Sequence, residues 1–226
     1  MKACIKNVAT LALAAAALTA AAGASAQSAG QWSVKAGVAE ITPEVTSGDI
    51  SAPALPHTKA DVGPNSQPIL TIAYSFTDNI SAELDLGLPF KHKIYGAGAI
   101  QGTGQLGSVK VLPPNALIQY RFFKPESIFR PYIGLGAAYA YFADETGSGQ
   151  LTAITQTGLS PVTFSIKNKL APTVQLGLVI NMNERWFADF AYTKTRLRTE
   201  VTYSTGQKQD MTLDPKSVSM GIGYKF

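Results

Sequence analysis

The last nine residues, 218–226, alternate without a break. Val218, Met220, Ile222, Tyr224 and Phe226 fall on one face of an extended chain, and Ser219, Gly221, Gly223 and Lys225 fall on the other. Successive side chains of a strand point to opposite faces, so an unbroken period of two marks a strand with an apolar medium on one side only. Two architectures supply that asymmetry. A soluble barrel or sandwich puts the apolar face inside, whereas a barrel crossing a membrane puts it outside, against lipid, with the small and polar face inward.

The N-terminus narrows the choice. Lys2 and Lys6 precede an apolar stretch over 8–22, and Ala24-Ser25-Ala26 supplies the small-x-small pattern of a cleavage site, so residues 1–26 read as a secretory signal peptide. Cys4 lies ahead of the apolar stretch, which leaves a mature chain from about Gln27 without cysteine. Removing Lys2 and Lys6 takes the 19 basic residues to 17 against 15 acids, and the basic residues do not cluster. A nucleic-acid partner would want a clustered basic face, so none is expected. The remaining segments hold no run of about 18 apolar residues, which excludes a spanning helix.

Seven further segments repeat the alternation: 31–41, 69–76, 80–88, 110–123, 132–142, 173–182 and a strand running from 186 toward 200. Pro113 and Pro114 must interrupt the ladder of the fourth, because proline offers no donor. Connections alternate between three tight turns, at 77–79, 124–127 and 183–185, and four long loops, at about 43–66, 90–107, 144–167 and 204–210. An even strand number with alternating short and long connections places both termini on the tight-turn rim, the periplasmic one in outer-membrane barrels. The expected fold is all-β, an eight-stranded antiparallel up-and-down transmembrane β-barrel over 27–226.

The aromatic residues support lipid on the outside. Trp32, Tyr74, Phe76, Tyr120, Phe122, Trp186, Tyr224 and Phe226 all fall on apolar faces beside the tight-turn rim. Tyr139, Tyr141 and Tyr192 fall several residues further along their strands. Two aromatic girdles separated by about ten residues of tilted strand match a bilayer. The opposite faces then give an inward set: Lys35, Glu83, Asp85, Arg121, Asp189 and Lys225. Eight strands enclose a space just wide enough for side chains, so these charges are expected to pair into a polar plug rather than line an ion path.

Other chemistry is thin. His57 and His92 fall on outer loops, with no carboxylate or thiolate at ligand spacing, so no metal site and no cofactor is expected. Gly102, Gly104 and Gly107 have the spacing of a dinucleotide fingerprint, but no helix follows, and the stretch reads as a flexible loop. Lys194, Arg196 and Arg198 share the outward face at the outer end of the seventh strand, where cations could meet lipopolysaccharide phosphates. Leu55, Phe90, Leu112, Phe142 and Phe164 are apolar residues near the outer rim without a membrane role; a pocket on the route of a hydrophobic ligand is one explanation, and loop packing is the blander one.

Several linked stretches resemble one family. They are Pro64-Asn65 before Leu70-Thr71, the run Tyr74-Ser75-Phe76-Thr77-Asp78-Asn79-Ile80 followed by Glu83-Leu84, and Leu88-Pro89-Phe90-Lys91-His92-Lys93. Leu112-Pro113-Pro114 with Gln119-Tyr120, Arg130-Pro131-Tyr132-Ile133-Gly134-Leu135-Gly136, Leu213-Asp214-Pro215 and the terminal 221–226 complete the set. In this order they resemble the outer-membrane protein W family (OmpW/AlkL-like), with segment 158–172 departing from its pattern. The resemblance implies a non-enzymatic outer-membrane barrel with a narrow apolar channel for small hydrophobic molecules, released sideways into the membrane above a plugged lower interior. A surface structural or receptor barrel without transport stands as an alternative, and so does a lipid-modifying enzyme. The terminal strand ending in Phe226 resembles the signal read by the barrel assembly machinery.

Overall fold

The computed structural model describes residues 29–155, 158 and 161–226; the signal peptide expected over 1–26 lies outside the described residues. In chain order the elements are β1 (Trp32–Thr42), β2 (Thr46–Ser47), β3 (Thr58–Val62), β4 (Asn65–Ser75), β5 (Ile80–Gly87), β6 (Phe90–Gly98), β7 (Gln105–Leu112) and β8 (Asn115–Arg121). They continue as β9 (Phe129–Gly147), a helix α1 (Gly149–Thr155), β10 (Phe164–Ile166), β11 (Lys169–Asn181), β12 (Trp186–Thr195), β13 (Arg198–Tyr203), β14 (Lys208–Thr212) and β15 (Lys216–Lys225).

Eight of these close a cylinder in the antiparallel order β1, β4, β5, β8, β9, β11, β12, β15. The seam is the first strand against the last, from Ser33 opposite Lys225 to Thr42 opposite Lys216. Closure leaves no open ladder edge in the cylinder, which is what a strand structure needs where no water can bond a bare backbone group.

Short polar turns join these strands at one rim. The hydroxyl of Thr77 accepts from the backbone N–H groups of Asn79 and Ile80, and Asn183 Oδ1 accepts from those of Arg185 and Trp186. Beside that rim the aromatic belt is continuous in places: Trp32 lies 4.9 Å from Tyr74, Trp186 lies 5.0 Å from Tyr224, and Phe76, Phe122 and Phe226 each pack edge-on against the neighbouring tyrosine of their own strand. Above the belt the outer surface is apolar, with Leu135 65 % exposed, Leu176 58 % and Met220 51 %. A soluble monomer rarely exposes an apolar patch beyond a few hundred Å², so a continuous band of this kind requires lipid.

Glycine decides the packing at two inward positions. A side chain on Gly177 would meet the Tyr132 ring, and one on Gly223 would meet the Phe187 ring, at 2.2 and 2.1 Å respectively. Each bulky ring lies across the small residue of a facing strand, which fills the lower barrel without widening it.

The outer connections differ from the long loops expected of their glycine, serine and proline content. The stretch expected as a loop over 90–107 contains β6 and the first three residues of β7, and the two strands pair from Phe90 opposite Val111 to Tyr95 opposite Gln105. β7 joins the upper part of β9, and β3 joins the far edge of β6. A second, four-stranded sheet runs β10, β13, β14, β2. The strand expected to continue from 186 toward 200 breaks after Thr195, and the one expected over 110–123 breaks at Pro113 and Pro114. β6 with β7 and β13 with β14 form hairpins, whereas β2, β3 and β10 pair with strands distant in sequence, so local composition understates the order of these outer strands.

Candidate functional site

The inward residues change character along each strand. On β1 they run Ser33, Lys35, Gly37, Ala39, Ile41; on β9 they run Tyr132, Gly134, Gly136, Ala138, Ala140, Phe142. The lower barrel is therefore polar inside and the upper barrel apolar inside.

In the lower half the sequence-derived charges meet. Lys35 Nζ donates to Asp189 Oδ1 at 2.6 Å and lies 3.8 Å from Glu83 Oε2, with all three side chains buried. Tyr132 donates its hydroxyl to the other Asp189 oxygen at 3.0 Å. Gln175 donates to Glu83, Gln119 to Gln175, and Arg121 Nη2 to Gln119 at 3.0 Å. These bonds cross the lumen from wall to wall. Opposite charges meet here at Lys35, Glu83 and Asp189. Arg121 bonds Gln119 through Nη2 while its buried Nε has no partner, and Lys225 donates to Asn181 Oδ1 at 2.7 Å with its ammonium over the Phe187 ring. Neutral amides serve there because a buried ammonium or guanidinium needs acceptors, and they need not be charged. Asp85 lies above the network and accepts from the Thr71 hydroxyl at 2.7 Å.

Above it opens a cavity of about 160 Å³. Its walls come from the upper inner faces of β1, β9, β12 and β15, from β6 and β7, and from β10, β13 and β14 of the second sheet. Of the five apolar residues expected on a ligand route, Phe90, Phe142 and Phe164 line this space. Leu55 does not: it is 51 % exposed at a turn, away from the cavity. Leu112 also misses it and is half-buried, while its neighbour Val111 faces in. Hydropathy does not distinguish Leu55 from Phe164; position does, Leu55 lying between β2 and β3 and Phe164 on the inner face of β10. Sequence reasoning missed Ala138, Ala140, Val109, Val201, Met211 and Leu213, all on the wall. The polar-to-apolar gradient along β1 and β9 was a signal that could have found the first two.

His92, expected on a solvated loop, is buried in the cavity wall, where its Nδ1 donates to the Gly63 carbonyl at 2.7 Å and its ring stacks on Phe90. Burial holds its pKa below the ordinary histidine value, against a smaller upward pull from the Gly63 carbonyl. A base whose folded pKa is depressed contributes stability in full above its unfolded value of about 6.5 and loses it as the pH falls through the folded one. Urea unfolding in lipid vesicles at pH 7.5 and pH 5 should therefore show a loss of stability on acidification that His92→Gln reduces; an equal loss in the variant would place the effect elsewhere. His57 by contrast is exposed, with Asp49 accepting from its backbone N–H.

At the outer rim Lys194 is not free to meet a phosphate. It bonds the Glu44 carboxylate and the Asp214 carbonyl, and Lys216 lies 3.3 Å from the same Glu44, which holds that exposed carboxyl below its usual range. Arg196 and Arg198 remain exposed beside it.

A closed eight-stranded barrel, girdled by aromatics and plugged below an apolar chamber, is matched in sequence as well. The sequence pattern of the OmpW family covers residues 28–226. The chain belongs to the OmpW family. Among its relatives is outer membrane protein W of Vibrio cholerae, 34 % identical over 203 residues, spanning 87 % of this chain and 89 % of that one. Another is outer membrane protein AlkL of Ectopseudomonas oleovorans, 28 % identical over 181 residues, spanning 79 % and 74 %. The crystal structure of the outer membrane protein OprG from Pseudomonas aeruginosa superposes with a TM-score of 0.79 at 29 % identity, covering 88 % of this chain and 97 % of that one. This OmpW-family chain is thus an outer-membrane β-barrel.

Proposed function

We propose that this barrel passes small hydrophobic molecules from outside the cell into the outer membrane, entering the apolar chamber from the long-loop rim and leaving sideways above the plug. One observation carries the reading: an apolar cavity ends on a hydrogen-bonded polar floor instead of continuing down the barrel. A molecule with an apolar body gains by entering such a chamber and meets a desolvation penalty only at the plug.

The sideways step is supported at one seam. The β5–β8 ladder ends where Asp85 faces Asn115, and the residues that would extend it on the β8 side are Pro113 and Pro114, which offer no N–H. Leu86 there is both exposed on the barrel's outer face and part of the cavity wall. We place the tight-turn rim in the periplasm, with the assembly machinery reading β15 through Phe226, and Arg196 and Arg198 against lipopolysaccharide phosphates. We read the chain as non-enzymatic, because His92 is committed to the Gly63 carbonyl within an apolar wall.

The barrier to hydrophobic entry is the lipopolysaccharide leaflet rather than the phospholipid. The test is therefore the rate at which a fluorescent naphthalene enters vesicles with lipopolysaccharide in their outer leaflet, with and without the protein. Entry several-fold faster with the protein is expected. Equal rates would overturn the reading.

A further inference from the structure

The floor of the chamber has an imbalance that the plug does not resolve. Three carboxylates, those of Glu83, Asp85 and Asp189, project into the lumen around one ammonium, that of Lys35. Lys35 is spent on Asp189 at 2.6 Å and on Glu83 at 3.8 Å. Two other lumen cations, Arg121 and Lys225, bond Gln119 and Asn181. Asp85 therefore has no cationic nitrogen within 4.0 Å among the described residues; it accepts from Thr71 at 2.7 Å and, at the limit of a hydrogen bond, from Asn115 Nδ2 at 3.5 Å. A carboxylate offers about four lone-pair sites. At Asp85 roughly half of them are therefore unused.

Asp85 and Asn115 both line the apolar cavity, and Asp85 is only half-buried, open from above. Asn115 Oδ1 is itself buried without a partner. Two acceptors with capacity left thus sit side by side at the bottom of an otherwise apolar space. Donors are scarce there, and a buried acceptor left unmade is costly.

We propose that this pair is a polar subsite that takes the donor-bearing end of a small amphiphile, an ammonium or a hydroxyl, with the apolar body directed up toward Phe90, Phe142 and Phe164. This rests on the chamber being a site for hydrophobic molecules and specifies which ones. An ammonium is the best match, since it supplies both the missing positive charge and donors in several directions. A carboxylate is the worst, since it would bring a fourth negative charge to the same floor. A cavity of about 150 Å³ holds benzene, so a one-ring body fits wholly inside the chamber.

The test uses four one-ring compounds that differ at one end: benzylamine, benzyl alcohol, toluene and benzoate. Each is titrated into the full barrel in lipid nanodiscs, followed by methyl NMR of Val109 and Leu213 in the cavity wall, with affinities corrected for partition into the lipid. Benzylamine should bind on the order of tenfold more tightly than toluene, with benzyl alcohol between them and benzoate unbound. Asp85→Asn keeps the shape and removes the charge, and is expected to erase the advantage of benzylamine over toluene. The order measured on the unaltered protein stands on its own should the variant fail to fold. Toluene binding as tightly as benzylamine would overturn the subsite and leave the hydrophobic chamber standing; a carboxyl proton would then be what balances the floor. An advantage that survives Asp85→Asn would also overturn it. Failure of all four to bind would overturn the subsite together with the proposed function.

Discussion

Replacing Lys35 by methionine is expected to lower the free energy of unfolding by about 3–5 kcal/mol, the cost of leaving buried charges without their counter-ion. Among the described residues Lys35 is the one cation bonded to Asp189 and Glu83, and both carboxylates are buried in the lumen where neither water nor lipid headgroups can replace it. Urea unfolding in lipid vesicles, followed through Trp32 and Trp186 on the barrel's outer face, measures the loss. Lys110→Met provides the contrast. The Lys110–Asp144 pair has a similar separation of 2.6 Å, but its side chains are well exposed, and such pairs contribute about 0–1 kcal/mol. Adding Glu83→Gln and Asp189→Asn to Lys35→Met should restore most of the loss, because neutral groups of the same shape need no counter-ion. A Lys35→Met barrel as stable as the parent would mean that the plug is held by its amide chain, Gln119 to Gln175, and not by the ion pairs.

The second large effect is expected on passage, not stability. Ala140 is buried in the chamber wall on β9, and Ala140→Trp projects an indole into the space a ligand would occupy. Entry of the naphthalene tracer should fall to the rate of protein-free vesicles, a change of several-fold, while folding costs no more than the roughly 1–3 kcal/mol of an overfilled site. Leu135→Trp on the lipid-facing side of the same strand changes the surface by a similar amount and should leave entry unaltered. If Ala140→Trp conducted normally in a folded barrel, hydrophobic molecules would be crossing by some route other than the chamber. The two substitutions also separate the halves of the interior: one tests what closes the barrel below, the other what opens it above.

The legibility of these halves differs for a physical reason. Through the bilayer each strand has lipid on one side and a polar lumen on the other, so its pattern is local and needs no knowledge of the partner. Val218 to Phe226 shows this, and so does the run from Ile80 to Gly87. Above the bilayer that asymmetry ends. β6 still alternates, with Phe90, His92 and Ile94 inward and Lys91, Lys93 and Tyr95 outward, but the glycines at 96 and 98 and those after β6 made the stretch read as loop. Its order comes from pairing with β7, and that of β10 from β13, partners that composition does not name.

By itself, then, the sequence determined the eight strands, their inward and outward faces, the aromatic girdle and the membership of Lys35, Glu83, Asp85, Arg121, Asp189 and Lys225 in the lumen, because a period of two against a one-sided apolar medium is a local property. Only the tertiary structure decided which of those charges pair, that Leu55 and Leu112 stay off the chamber wall while Phe90, Phe142 and Phe164 reach it, and that Asp85 is left facing an apolar space. Each of those depends on the register between strands far apart in the chain, and no single strand's pattern contains it.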